Sequence, residues 1–176
     1  LHLGDLVDIL EHAPDEMHSH LVDAVESEDQ AAIAELQQYP PDTAGGLMNT
    51  DYLAVPLGTP AGDVIHRIRE EHYIETVYYI YVTDGAGGLG GVFSLRELLS
   101  FKPDEPVDRV MHRDPISVRV EQDQEDVARA FEKYNYHTMP VVDADGVLKG
   151  LITHDDIVDV IHDEASEDMM IMAGAG

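Results

Sequence analysis

The sequence has no cysteine, no long apolar run and few basic residues, and each absence excludes a class of function. Without cysteine there is no disulfide framework, no thiolate metal site and no cysteine nucleophile. No run approaches the roughly 18 apolar residues that span a bilayer, and nothing resembles a signal peptide, so we expect a soluble piece. Ten Lys and Arg residues stand against 36 Asp and Glu residues, a net charge of −26. That balance argues against binding nucleic acid or an anionic membrane surface.

What the sequence has instead is acid, and the acids are most regularly spaced in 150–168. This segment reads as the end of a strand, a cap at Thr153 and then a helix. Four carboxylates lie within about 80° of one another around the helix, and apolar side chains lie opposite. The acids are Asp156, Asp159, Asp163 and Glu167, and the apolar residues are Ile157, Val158, Ile161, Ala165 and Met169.

Two interpretations of this acidic face remain open from the residues alone. Like charges four residues apart repel by a few tenths of a kcal/mol per pair, so the face is unfavourable unless something neutralises it. It is either a solvated surface of a very acidic protein, which would also suit concentrated salt, or a surface for hard cations.

From about residue 47 onward the chain repeats itself. Residues 48–64 align with 111–127, and 79–94 align with 138–153. Each copy predicts a strand, an amphipathic helix, a hairpin with an Asp at its turn and a closing helix capped by Ser or Thr. The first copy carries four extra residues between its helix and its second strand. A β-α-β-β-α unit used twice indicates two units that pack together.

The first 38 residues predict short helices. The third helix should open at Ser27, carry Ile33 and Leu36 on its apolar side, and end at Tyr39-Pro40-Pro41. Three such helices offer little core of their own.

This organisation resembles a pair of CBS motifs, which together form a Bateman module. The resemblance implies an α+β fold of tandem CBS motifs preceded by a short all-α segment. Two runs narrow it to MgtE-type magnesium transporters: Asp42-Thr-Ala-Gly-Gly-Leu-Met48 and Glu164-Ala-Ser-Glu-Asp168. We therefore expect the end of an N domain at 1–40, CBS motifs at 41–103 and 104–160, and the start of a connecting (plug) helix at 161–176.

The resemblance also implies Mg²⁺ ligands. Mg²⁺ prefers oxygen, keeps several waters and needs only one or two carboxylates. Gly4 stands where the family often has an acid, so Asp8 is the expected ligand in the N-terminal segment. Asn135 stands where the family often has Asp, which weakens any metal site at that position. Asp163 joins the set from the acidic helix face. The full expected set is Asp8, Asp123, Glu125, Asp156, Asp159, Asp163, Glu164, Glu167 and Asp168.

An adenine-nucleotide site is the second constellation that the CBS resemblance implies. In such modules a Ser/Thr-x-x-Asp pattern binds the ribose, and Thr153 with Asp156 fits it, while Ser94 with Glu97 fits loosely. The resemblance adds Tyr79 and Tyr136 as lining groups and Arg96 as a phosphate contact. Ser and Thr also cap helices without any ligand, and no P-loop motif occurs.

The sequence shows no pattern typical of a nucleophile–base pair or of a histidine metal site, so we do not expect an enzyme. The expected function is the cytosolic regulatory part of a magnesium transporter or channel, which senses intracellular Mg²⁺ at acidic sites between domains and gates transport. Its expected cofactor is Mg²⁺, with ATP or another adenine nucleotide as a second candidate. Its expected partners are a second copy in a homodimer and the transmembrane domain of the same full-length chain, on the cytoplasmic side of the membrane. The alternatives are an adenine-nucleotide-binding CBS module with acids serving only solubility, and a plain dimerisation scaffold.

Overall fold

The computed structural model describes residues 27–71 and 77–174. Two expectations lie outside these residues: the first two helices, with Asp8, and the four extra residues of the first copy. The described chain divides into two compact units. The first comprises 27–51, 118–141 and 150–174, and the second comprises 52–71, 77–117 and 142–149.

The second unit is built around a four-stranded sheet in the order β1-β2-β3-β4. Its strands are β1 (Leu53–Pro56), β2 (Tyr79–Thr83), β3 (Leu89–Ser94) and β4 (His112–Arg113). β1 runs parallel to β2, and the other two pairings are antiparallel. A parallel pair needs a crossover connection, and the chain between β1 and β2 includes a helix, Ala61–Glu70.

That crossover helix is amphipathic, as the sequence predicts. Ala61, Val64 and Ile68 are buried, while the side facing away from the sheet is charged. They pack in one apolar core with Leu53, Val55, Ile80, Val82 and Phe93 of the strands. The repeated unit is stabilised because one apolar face of a helix packs against the alternate residues of the strands that point towards it.

The first unit begins with α1 (Ser27–Gln37) and the short α2 (Ala44–Leu47). The prediction for α1 is confirmed, since Ile33 and Leu36 are buried and the helix ends before Tyr39-Pro40-Pro41. The crossover helix Ala61–Glu70 of the second unit is α3, and the short helix Leu95–Leu98 of that unit is α4. The first unit continues with α5 (Gln124–Tyr134) and α6 (His154–Gly174). A 3₁₀ turn at Val107–Arg109 follows α4.

A three-stranded sheet, in the order β5-β6-β7, comes from the second copy. Its strands are β5 (Val118–Arg119), β6 (Thr138–Val142) and β7 (Leu148–Thr153). The alternating run Ile116-Ser-Val-Arg-Val120 predicts a five-residue strand, but the strand is confined to Val118–Arg119, so the predicted length is wrong. Val120 instead accepts a hydrogen bond from the Gly45 N–H, and a turn joins Arg119 to Gln122, so the chain leaves the sheet early.

The two hairpin turns repeat the same chemistry, as the alignment of the copies predicts. Asp84 Oδ1 accepts from the Ala86 and Gly88 N–H groups, and Asp143 Oδ1 accepts from the corresponding Asp145 and Val147 groups. The turns also pair with each other through an antiparallel bridge between Gly88 and Val147. An Asp side chain that satisfies turn N–H groups replaces the ladder hydrogen bonds lost there.

The segment between α1 and β1 is fastened along its length to the first unit. Ala44 N–H donates to the Gln122 carbonyl at 2.8 Å, and Gln124 N–H donates to the Asp42 carbonyl at 2.9 Å. Asn49 exchanges two hydrogen bonds with Leu151. The glycines of α2 allow the close approach, because a Cβ on Gly46 would overlap the Pro40 carbonyl and lie 2.7 Å from Pro41 Cα.

Gly46→Ala should therefore destabilise the chain by about 1–3 kcal/mol, the usual cost of overpacking against backbone that cannot move away. Gly85→Ala is the matched control, because a Cβ there meets nothing within 4 Å, and it should change stability by less than about 0.5 kcal/mol. Chemical denaturation of both variants measures the difference. Equal stabilities would show that the Pro40–Gly46 contact yields without cost.

Candidate metal-binding surface

The start of α6 is set by Thr153 at the end of β7. Its hydroxyl donates to Asp156 Oδ2 at 2.8 Å and accepts from the Asp156 N–H at 3.3 Å, the expected cap. The first turn is also held by His154, whose N–H donates to the His137 carbonyl and whose ring contacts Phe131 edge-on. Ile157 is fully buried and fixes the helix to the first unit.

Beyond its first turn, α6 is mostly exposed. Of the expected apolar side, Val158 and Ile161 are half-buried, whereas Ala165 and Met169 are exposed. The apolar side of α6 is therefore covered within the chain only as far as Ile161. The acids of the opposite face, which are Asp156, Asp159, Asp163 and Glu167, are exposed too. Asp155 and Asp168, on the flanks of that face, are also exposed.

Glu164 differs from the other acids of α6 because it is half-buried and faces α5. α5 begins after Asp123, whose side chain caps the helix by accepting from the Glu125 N–H at 2.9 Å. Gln124, the first residue of α5, donates through Nε2 to Glu164 Oε1 at 2.8 Å. The structure thus brings Glu164 to the start of α5, between the expected ligands Asp123 and Glu125.

The carboxylates at this meeting point repel each other. The negative charge of Glu164 raises the pKa of Glu125, an exposed residue, partial desolvation by neighbouring atoms adds to the effect, and the charge of Asp123 raises the pKa further. Arg129 opposes the shift, and its guanidinium contacts Glu125 at 3.3 Å and Asp126 at 2.8 Å. These ion pairs are exposed and contribute little, so the unfavourable charge density at Glu125 and Glu164 is only partly offset.

The chemistry of this group suits a hard divalent cation, but the group is not a complete site. Carboxylate oxygens are the ligands that Mg²⁺ prefers, with water filling the remaining positions. Among the described residues no three His, Asp or Glu side chains are placed to hold one ion together. The remaining expected ligands of α6 are exposed along the helix, and Asp8 lies outside the described residues.

The expected nucleotide residues fall in both units. In the second unit, Ser94 and Glu97 form a reciprocal cap at the start of α4, and Arg96 is exposed. The pKa of Glu97 is lowered mainly by the hydrogen bond that its carboxylate accepts from the Ser94 N–H. His112, whose Nε2 lies 2.6 Å from Glu97 Oε1, lowers that pKa further. Tyr79, also in this unit, is half-buried. Both carboxylate oxygens of Glu97 therefore already have protein partners.

In the first unit, the corresponding acid is Asp156, held by Thr153 through one oxygen. Tyr136 is exposed and stacks on Tyr134 with ring centres 6.0 Å apart. Between them Asn135 ends α5 in the left-handed conformation, at φ 52°. Asn adopts that conformation more readily than most residues, which gives a structural reason for Asn135 where a ligand acid was expected from the resemblance.

Three residues of these surfaces were not identified from the sequence: Gln124, His112 and Tyr134. Gln124 is neutral and therefore does not belong to the pattern of carboxylates, although it stands between two acids in the sequence. His112 reaches Glu97 only through the pairing of β3 with β4, and no local spacing indicates that contact. Tyr134 was detectable as an aromatic residue two positions from Tyr136.

Comparison with known proteins gives consistent results. Residues 44–104 and 107–163 each match the CBS domain family, which confirms the predicted tandem motifs and α+β fold. The domain boundaries inferred from the sequence stay predictions, and the one expected at residue 160 falls inside α6.

The relatives include the magnesium transporter MgtE of Thermus thermophilus, 39% identical over 95% of this chain and 38% of the relative, and that of Bacillus subtilis, 36% identical over 98% and 38%. A crystal structure of the cytosolic domain of the Mg²⁺ channel MgtE in complex with ATP matches with a TM-score of 0.84 and 39% identity, over 91% of this chain and 66% of that one. The chain spans little more than a third of the length of these transporters. No helix in the described part of the chain has the length and apolar character to cross a membrane.

Glu125→Gln should raise the melting temperature of the chain in buffer without divalent cations, because the amide removes the repulsion with Glu164. The pKa of Glu125 is raised, so its unfavourable contribution is present above its folded-state pKa and disappears as the pH falls below the ordinary value of 4.5. The gain should therefore be larger at neutral than at acid pH, as measured by thermal unfolding.

Asp126→Asn is the control for this prediction. It removes an acid from the same turn and a contact of Arg129, but not the repulsion with Glu164, and should give no such gain. A gain from Glu125→Gln that does not change with pH would contradict the explanation by charge.

Proposed function

Because this chain belongs to the family of CBS-domain proteins and its relatives at 36–39% identity are magnesium transporters, we propose that it is the cytosolic regulatory region of such a transporter and senses Mg²⁺. In this proposal the acids around α5 and α6 bind Mg²⁺ and thereby gate transport by the full-length protein. The site of action is the cytoplasmic side of the cell membrane.

The observation that carries the proposal is the pair of carboxylates at the start of α5 and in the middle of α6. Glu125 and Glu164 repel each other although the fold holds them together. A divalent cation reverses the sign of that interaction, so the contact between α5 and α6 becomes tighter when Mg²⁺ binds. In this proposal Mg²⁺ acts on the contact between α5 and α6, because Glu125 and Glu164 meet there.

The other expected ligands act, in this proposal, together with surfaces beyond those described. Mg²⁺ holds its waters strongly and is bound through few direct carboxylates, so ligands from two surfaces can share one ion. Asp123 contributes at the start of α5, and Asp8 contributes from the N-terminal segment. Along α6 the contributors are Asp156, Asp159, Asp163, Glu167 and Asp168. Several weak sites suit the detection of an abundant ion better than one tight site.

A nucleotide-binding module is the second candidate, favoured by the cap at Thr153 and Asp156 and by the related cytosolic domain that was crystallised with ATP. Asp156 lies in both sets, since one oxygen accepts from Thr153 and the residue also belongs to the acidic face. In the first copy Glu97 would have to release His112 to accept a ribose hydroxyl. In this candidate Arg96, Tyr79 and Tyr136 line the nucleotide, and the acids serve only solubility.

MgCl₂ should stabilise the chain more than NaCl at matched ionic strength, because only a bound ligand shifts unfolding by mass action while monovalent salt merely screens. At tenfold excess over the dissociation constant, one site gives about 1.4 kcal/mol, or roughly 3–6 °C in melting temperature. The triple variant Glu125→Gln, Glu164→Gln, Glu167→Gln should lose most of this response.

The control for that variant is Glu70→Gln, Asp104→Asn, Glu132→Gln, which makes the same change in net charge with exposed acids away from the start of α5. It should keep the Mg²⁺ response. ATP is titrated separately without Mg²⁺ on the parent and on Thr153→Val. If NaCl matches MgCl₂ while ATP stabilises the parent but not Thr153→Val, the nucleotide candidate replaces the sensor.

We also propose that the chain forms a homodimer in which the end of α6 is covered by a second copy, and by the transmembrane domain in the full-length protein. Met169, Met170, Ile171 and Met172 are 69–76% exposed, and contiguous exposed apolar residues of this kind mark interaction surfaces. Light scattering should show a concentration-dependent dimer. Replacing the three methionines with Gln should shift it to monomer at unchanged helix content, and a monomer at every concentration would overturn the proposal.

A further inference from the structure

Gln124 lies where three segments of the first unit meet. Its backbone N–H donates to the Asp42 carbonyl at 2.9 Å, in the segment that follows α1. Its side-chain Nε2 donates to Glu164 Oε1 at 2.8 Å, in the middle of α6. The residue itself opens α5 directly after the capping Asp123. One half-buried residue thus connects the junction segment, α5 and α6.

The amide is the side chain that can make this contact without changing the local charge. Gln124 is the one neutral residue in the run Asp123-Gln-Glu-Asp126. An acid at this position would repel Glu164, and a lysine would neutralise it permanently. The amide N–H donates to the carboxylate and leaves its full negative charge available. Hydrogen bonds to charged groups are stronger than those between neutral groups.

The contact also decides where Glu164 points. Past Ile161 every described side chain of α6 except that of Glu164 is exposed, and a glutamate without a partner would turn away from the carboxylates of α5. The hydrogen bond holds Oε1 of Glu164 against the start of α5, while the carboxylate remains beside Glu125. A partner that orients a ligand in this way typically contributes 10–100-fold to metal affinity.

We propose that Gln124 is a positioning residue of the Mg²⁺ site: it holds Glu164 beside Glu125 and ties that arrangement to the junction segment through Asp42. The inference rests on the proposed sensor function and adds its route of coupling. Binding of Mg²⁺ at Glu164 stabilises the Gln124 contact, and the Gln124 N–H passes this stabilisation to the segment that leads back to α1.

Two substitutions of Gln124 test the role with opposite signs. Gln124→Met keeps the length of the side chain but removes the donor, and should weaken Mg²⁺ binding about tenfold in a calorimetric or thermal titration of the whole chain. Gln124→Lys places a tethered cation beside Glu164, and should raise the melting temperature without Mg²⁺ while reducing the further gain from Mg²⁺. A purely structural glutamine predicts a loss of stability in both variants with an unchanged Mg²⁺ midpoint.

Gln122→Met is the matched structural control. Gln122 Oε1 accepts from the Arg119 N–H at 2.7 Å, in a turn that does not involve Glu164, so its loss should lower stability equally at every Mg²⁺ concentration. The coupling is read from amide hydrogen exchange at Gln124 N–H, which Mg²⁺ should slow in the parent and not in Gln124→Met.

The outcomes separate this inference from the function on which it rests. If Glu164→Gln weakens Mg²⁺ binding but Gln124→Met does not, the sensor stands and the positioning role of Gln124 is overturned. If the parent itself gains nothing from MgCl₂ beyond NaCl, the proposed function fails and this inference fails with it. A tenfold loss in Gln124→Met together with the opposite behaviour of Gln124→Lys supports both.

Discussion

Repulsion between carboxylates is the constraint under which this chain folds. With a net charge of −26, few surfaces can be joined by ion pairs, and the buried residues of the described chain are apolar. Segments are instead fastened by backbone hydrogen bonds, as at Asp42, Ala44 and Asn49, and by neutral side chains such as Gln124. Where two acids are nevertheless brought together, at Glu125 and Glu164, their charges interact unfavourably, and in the proposed function this makes the contact between α5 and α6 responsive to cations.

The two copies of the repeat have diverged at equivalent positions. In both copies the hydroxyl of Ser94 or Thr153 accepts from the N–H of the acid three residues on. The Glu97 carboxylate accepts in return from the Ser94 N–H, whereas the Asp156 carboxylate accepts from the Thr153 hydroxyl. Glu97 has in addition the His112 partner supplied by β4, whereas Asp156 begins an exposed acidic face on a helix of 21 residues. The first copy thus gives its acid a hydrogen-bond partner from its own sheet, whereas the acids of the second copy are exposed. In the proposed function, this asymmetry gives the Mg²⁺-binding role to the second copy.

The junction between α1 and β1 gives the sensor proposal a mechanical route. Gly45 and Gly46 pack without room for a side chain against Tyr39 and the two prolines, and Asn49 pairs with Leu151 in β7, the strand that precedes α6. A stiff segment transmits a displacement that a flexible linker would absorb. In the proposed function, a change in the α5–α6 contact would reach the segment that leads back to α1 through this junction.

The sequence by itself determined the repeat, the α+β architecture, the caps and the turns, because these depend on local periodicity and on hydrogen bonds between neighbours in the chain. It also identified the acids of α6, since helical spacing places them on one face. Only the tertiary structure decided which acids meet another element. Glu164, expected on the flank of that face, is the one that reaches α5, because Ile157 and the cap at Thr153 fix the rotation of α6 and Gln124 receives the carboxylate. The role of Gln124 and the pairing of His112 with Glu97 depend on contacts between residues 40 and 15 positions apart, which no local pattern specifies.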